Sequence, residues 1–309
     1  MIIVDRRTKK EKNLEYSGSV KFLYTDLFGR VILKLINNRL VSKIVGKYMN
    51  SKLSIKRINK TIKDNNIDMS IYEKKDYTSF NDFFTRCKNN LNFDINEDHF
   101  VSPADAKLLA IKLNKDSSFD IKRSIYTLKD IVKEDLTKKY QNGYALIFRL
   151  EVTDYHRYHF IDDGTLDDYK YIKGKLNTVQ PIAYNKKIFH TNSREYTTLH
   201  TKNFGDIIEV DVGALLVGKI TNDKTIKEYK KGEEKGYFEF GGSTIILFVP
   251  ENKIVLDNDI LLNSTLGKET IVTCGEKIGT KYKKWYILSL NKTNECNIWT
   301  YYINRYSNY

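Results

Sequence analysis

Proline is scarce in these 309 residues, limited to Pro103, Pro181 and Pro250. That excludes a proline-rich linker, and no low-complexity tract or internal repeat takes its place. Cysteine is equally sparse: Cys87, Cys274 and Cys296 form no CxxC pair and no metal-ligand cluster. A disulfide scaffold and a cysteine zinc site are excluded, no metal is expected, and the odd set fits a reducing cytoplasm. Long apolar runs are missing too. The opening MIIVDRRTKKEKNLEY is too short in apolar residues for a signal peptide or a membrane span. Such a chain is able to lie on a membrane, with nothing to cross one.

What is present suits a folded protein. Hydrophobic residues make up 41% and charged residues 29%, enough for one large or two smaller domains with a buried core. The net charge of +13 is uneven, because residues 1–60 hold fifteen Lys or Arg against Asp5, Glu11, Glu15 and Asp26. A basic segment suits nucleic acid or an anionic membrane, although charge alone is better explained by a solvated, lysine-rich surface. Residues 19–60 read as helix, with Lys21, Asp26, Arg30, Lys34, Arg39, Lys43 and Lys47 tracking one face. Phe22, Leu23, Leu27, Val31, Leu35, Leu40 and Ile44 fill the rest. Gly29 and Asn37-Asn38 are candidate breaks. Periodicity alone favours an amphipathic helix packed on the protein's own core over an interfacial helix.

Residues 61–100 look mainly helical, with an aromatic piece from Tyr77 to Arg86. Beyond Phe100 short β-type runs take over at 145–152, 206–212 and 243–249, separated by Gly and Asn/Asp clusters. The expected fold is α+β: a helical, basic N-terminal part over 1–100, a β-rich, sandwich- or barrel-like catalytic part over 101–280, and an aromatic extension over 281–309.

Three segments carry chemistry. Gly241-Gly-Ser-Thr244 opens into an apolar β run, and glycine before Ser243 permits unusual backbone and leaves the Gly242 carbonyl open to attack. For a bare Gly-Gly-Ser-Thr a bulge or tight turn is the simpler reading. Asp154-Tyr-His-Arg-Tyr-His159 places two of the five histidines three apart. His156 and His159 suit general-base work on a hydroxyl, or else form a pair satisfied by hydrogen bonds. Ser102-Pro-Ala-Asp105 suggests a turn that fixes a carboxylate, able to orient a histidine or merely to bond its own backbone.

Taken together and in this order, the segments resemble the phosphatidylserine decarboxylase family. The resemblance rests on Phe80-Asn-Asp-Phe-Phe-Thr-Arg86, Ser102-Pro-Ala-Asp105, Asp154-Tyr-His-Arg-Tyr-His159, Val212-Gly-Ala214 with Val217-Gly218, Lys231-Gly-Glu-Glu through Gly242-Ser-Thr244, and Gly275-Glu-Lys-Ile-Gly279. It spans residues 77–280. It implies cleavage after Gly242, conversion of Ser243 into a covalent pyruvoyl cofactor, His159 oriented by Asp105 as the base that activates Ser243, and His156 acting in decarboxylation. The implied substrate is phosphatidylserine in anionic membranes, the implied product phosphatidylethanolamine. Fragments 1–242 and 243–309 would stay together, a homodimer is compatible, and no nucleic acid is expected. The implied location is peripheral, on the cytoplasmic face of the cell membrane. With a lipid substrate in view, residues 19–47 become a membrane-facing expectation. Ala106 stands where the family usually has glycine, so a turn with positive φ would be strained. Two other readings remain: a serine hydrolase using Ser243, His159 and Asp105, which lacks the G-x-S-x-G elbow, and a non-enzymatic basic lipid-binding module.

Overall fold

The computed structural model describes residues 1–283 apart from residues 38, 122, 123, 215–218 and 242. Gly242, the Val217-Gly218 part of one motif, and the aromatic extension from residue 284 therefore lie outside the described residues.

A basic, apolar-rich stretch broken by polar caps gives three helices, Gly18–Thr25, Leu27–Ile36 and Arg39–Met49. The first break falls at Asp26 rather than at Gly29. The Asp26 carboxylate accepts from the Phe28 and Gly29 amides at 2.9 and 3.3 Å and so starts the second helix. Gly29 serves the crossing instead: a β-carbon there would stand 1.9 Å from the Phe22 carbonyl oxygen. Tyr24 and Leu33 are the buried anchors of the first two helices. Leu27 and Phe28 are 74% and 77% exposed, and Val31, Leu35, Leu40 and Ile44 also face outward. Much of the apolar surface of this segment is thus not spent on the protein's own core. Between 61 and 100 the helical content is less than its composition suggests, confined to Ile58–Asp64, a 3-10 turn at Met69–Ile71, and Phe80–Phe84.

The β part is a large sheet of eleven strands with smaller sheets beside it. Its centre runs Arg194–Thr201, Gly205–Gly213, Ser243–Val249, Tyr144–Leu150 and Ala106–Lys112, all antiparallel. Ile2–Asp5 adds a parallel strand beside Glu269–Val272, so the first residues join the sheet although 1–100 reads as helical. Alternation sorts the central side chains onto two faces. Ile245, Leu247 and Val249 enter one core with Phe100, Phe148, Tyr158 and Phe238. Ile246 and Phe248 enter the other with Val210, Val212, Tyr126 and Phe189. Ser243 has the parity of the first face.

That face is covered by a small sheet of Ile220–Asn222, Glu234–Phe238 and Arg157–His159. One buried cation pins it there: the Lys235 ammonium lies 2.9 Å from Asp211 and 3.1 Å from Glu209, all three fully enclosed. Removing one member of such a set leaves an uncompensated buried charge, which typically costs about 3–5 kcal/mol. A third cluster joins Met49, Ile58, Phe80, Phe83 and Phe84 to Tyr155 and Cys274. It seats the aromatic helix against the histidine segment.

Candidate active site

Ser243 is the first residue of the most enclosed strand, paired with Gly213 on one side and Leu150 on the other. Gly213, from the Val212-Gly-Ala214 motif, leaves room beside it. The Ser243 hydroxyl is buried and has no hydrogen-bond partner among the described residues. A buried orphan hydroxyl is uncommon and calls for an explanation. Two residues upstream, Gly241 adopts φ +145°, a conformation closed to most other residues.

His156 lies fully buried just before the Arg157–His159 strand. Its carbonyl accepts from the Phe238 amide at 3.0 Å, and its ring packs on Phe84 with centroids 3.8 Å apart. Phe84 and Phe80 also pack edge-on against Phe240, at 5.4 and 5.1 Å, and the Phe240 amide donates to Asn81 Oδ1 at 2.9 Å. The Phe80–Phe84 helix therefore touches both His156 and the approach to Ser243. Neither ring nitrogen of His156 reaches a partner in normal hydrogen-bond geometry among the described residues. Burial, then the nearby Arg86 cation, pushes the imidazole down to about 3, with the Asp154 backbone opposing. Asp154 itself does not face the chemistry. It holds Lys107 at 2.7 Å and accepts from the Glu151 amide at 2.7 Å, closing the turn that presents His156.

The imidazole shift has a measurable consequence. Below the ordinary histidine value of 6.5 the unfolded chain takes a proton at His156 that the folded chain refuses. Stability falls as pH drops through that window, by about 1.4 kcal/mol per unit from this group. In urea melts at pH 6.5 and 5.0, His156→Leu is expected to lose less stability than the parent over the same step. An equal loss in both would show that His156 is not held neutral.

His159 is also buried, and burial lowers its proton affinity against the pull of the Gly232 carbonyl. Its Nδ1 stands 3.0 Å from that carbonyl oxygen. A carbonyl only accepts, so Nδ1 carries the hydrogen and Nε2 is the basic nitrogen. Nε2 faces the Tyr155 hydroxyl at 3.5 Å. Gly232, from the Lys231-Gly-Glu-Glu motif, has φ +87°, and a β-carbon there would press on the Phe93 ring at 3.3 Å.

Asp105 is held elsewhere than on His159. Its carboxylate takes the Lys88 ammonium at 2.6 and 2.8 Å and the Cys274 amide at 2.9 Å. The Pro103 carbonyl of the same turn accepts from the His159 amide at 3.0 Å, and Gly275 donates to the Ser102 carbonyl at 2.9 Å. The Ser-Pro-Ala-Asp turn, the histidine strand and the 275–279 motif thus meet at one place. Asp105 acts on His159 through space, raising its proton affinity while Lys88 lowers it. No hydrogen bond links Ser243, His159 and Asp105 among the described residues. Ala106 opens the Ala106–Lys112 strand without a positive φ, so the strain expected from the missing glycine is absent. Lys88, Tyr155 and the Gly232 carbonyl are site groups that sequence reasoning missed. Arg86 and Phe84 stood in a quoted motif without a role. No three His, Cys, Asp or Glu side chains converge as a metal site would require among the described residues.

Comparison with known proteins defines the class first. Residues 80–280 match the family described as Phosphatidylserine decarboxylase. A "Phosphatidylserine decarboxylase proenzyme 2" of Clostridium acetobutylicum is 51% identical over 85% of this chain and 92% of its own length. Proenzymes of the same name from Clostridium botulinum and Desulfitobacterium hafniense are 43% and 39% identical, over 91% and 90% of this chain and 100% and 98% of theirs. This is an enzyme of the decarboxylase class. The chain belongs to the phosphatidylserine decarboxylase family.

Proposed function

We propose that this chain is made as a precursor, cuts itself between Gly242 and Ser243, and then removes carbon dioxide from phosphatidylserine to give phosphatidylethanolamine. The observation that carries the reading is Ser243: a buried, unpartnered hydroxyl at the head of the central strand, directly after a glycine pair whose first member has φ +145°. The relatives are named proenzymes, which supports a processed form.

In the cleavage step the Ser243 hydroxyl oxygen adds to the Gly242 carbonyl and gives its proton to His159 Nε2. The Gly242–Ser243 amide bond breaks, its nitrogen takes a proton, and an ester remains. Loss of the Ser243 α-proton expels the Gly242 carboxylate, and water replaces the nitrogen with release of ammonia. The resulting pyruvoyl group supplies an electron sink for decarboxylation. Ser243 fits this conversion because no neighbour among the described residues competes for its oxygen and the small Gly213 flanks it. His156, held neutral in the uncleaved chain, is a hydrogen-bonding contact at the reacting carbon. An arriving anion raises its basicity, so that it can return the proton which replaces carbon dioxide.

Purified protein given phosphatidylserine should release one carbon dioxide for each ethanolamine lipid formed. Release of free serine or lysolipid without carbon dioxide would favour the hydrolase reading and overturn this one.

The enzyme must draw its substrate from a bilayer, and the outward Leu27, Phe28, Val31, Leu35, Leu40 and Ile44 give residues 19–47 a surface for that. No helix among the described residues is long and apolar enough to cross a membrane. The reading is peripheral binding at the anionic cytoplasmic leaflet, where each basic residue contributes about 1 kcal/mol. Changing Lys34, Arg39 and Lys43 together to Glu is expected to release the protein from phosphatidylserine vesicles in co-sedimentation, most visibly at moderate salt. Self-cleavage, which belongs to the β part, should survive. Equal sedimentation of the triple variant and the parent would dismiss the membrane role.

A further inference from the structure

Of the other buried polar groups with an unpartnered atom among the described residues, two lie against Phe83. The Arg86 side chain is 2% exposed, its guanidinium packed on the rings of Tyr72 and Phe83 at 4.2 and 4.7 Å. It donates to the Phe83 carbonyl at 3.3 Å, the Thr153 carbonyl at 3.2 Å and the Tyr72 hydroxyl at 3.3 Å, all long bonds to neutral groups. Its Nε–H has no partner, and it makes no ion pair among the described residues. Asp105 and Asp154, which reach Tyr72 electrostatically together with Arg86, are already taken by Lys88 and Lys107. Tyr77 meets Phe83 edge-on at 5.4 Å, and its hydroxyl is buried and unpartnered. Arg86 and Tyr77 sense each other electrostatically. An enclosed guanidinium without an anion is costly, and an oxyanion at its free Nε–H would offset that cost.

A way in exists. Tyr77 lines an open recess of about 430 Å³ with Met69, Glu73, Lys74, Lys75 and Asp76. Lys75 is tied to Asp82 at 2.7 Å, so the rim charges largely balance. The exposed Ile71 stands beside this recess in the chain. On the inner side, Phe84 follows Phe83 and stacks on His156.

We propose that Arg86, with Tyr77, binds the phosphodiester anion of the lipid substrate. This rests on the decarboxylase reading above. The substrate offers two anions, and the chemistry separates them. The carboxylate charge is lost as carbon dioxide leaves, so an arginine on it would stabilise the ground state and slow the reaction. The phosphodiester keeps its charge throughout, and it lies only a few bonds from the reacting carbon. An arginine there binds ground and transition states alike and places that carbon toward His156.

The test uses the self-cleaved enzyme and a soluble short-chain phosphatidylserine. Arg86→Gln should raise KM by about tenfold or more with kcat within about twofold, the signature of lost uniform binding. Tyr77→Phe, which removes only the hydroxyl, should raise KM about threefold. Glycerophosphoethanolamine should compete with substrate in the parent and at least about fivefold more weakly in Arg86→Gln. Inorganic phosphate competing as well as this diester would overturn the assignment to the lipid headgroup. An unchanged KM in Tyr77→Phe, or a fall in kcat at constant KM in Arg86→Gln, would overturn the site. Failure of the parent to cleave or to release carbon dioxide would instead sink the decarboxylase reading, before either variant is compared.

Discussion

Ser243→Ala is expected to remain a single 36.2 kDa chain with no measurable release of carbon dioxide. The parent should separate into pieces of about 28 and about 8 kDa by share of that mass, the smaller lacking a free amino terminus. The effect is all or none because one residue supplies both the nucleophile and the cofactor. In the proposed mechanism the Ser243 oxygen is the nucleophile of cleavage, and the Ser243 backbone becomes the cofactor. Alanine fits the enclosed site without strain, since the hydroxyl it removes has no partner to leave behind. The folded precursor should therefore survive, and intact mass reads the outcome directly. A parent that stays full length while decarboxylating would remove the pyruvoyl mechanism.

His159→Ala is the second large effect: processing should stop on the timescale of hours, because it removes the proposed base, whose basic nitrogen is set by the Gly232 carbonyl. Asp105→Asn should slow processing about tenfold or more. Without Asp105 the Lys88 ammonium loses its counter-charge and lowers the proton affinity of His159 unopposed. Lys88→Met combined with Asp105→Asn separates two routes. Partial recovery of rate in the double variant means that Asp105 acts by neutralising Lys88. No recovery means that it must reach His159 itself once the turn opens, as the family resemblance implies. Rapid processing of His159→Ala would withdraw the base assignment altogether.

The helical start and β-rich remainder were legible because periodicity and turn residues are local properties. The boundaries were less so. Asp26 ends the first helix through a capping bond that only its geometry reveals, while Gly29, the apparent break, is there for a close helix crossing. Residues 2–5 had too few neighbours in sequence to announce a strand, and pair instead with Glu269–Val272 far along the chain.

Ser243, His156, His159 and Asp105 were readable as candidates because short motifs record which residue types a chemistry needs. Their surroundings were not. That Lys88 takes Asp105, that the Gly232 carbonyl sets the tautomer of His159, and that Phe84 roofs His156 depend on contacts between segments up to 73 residues apart. The sequence by itself determined the residue types at the site, the α+β order, and the family. The tertiary structure decided what each group is bonded to, and hence its charge. Proton affinity follows burial and through-space charge, which arise only when distant segments pack together. The same packing left Leu27 and Phe28 facing outward and Arg86 inward, a distinction that amphipathic spacing alone does not make.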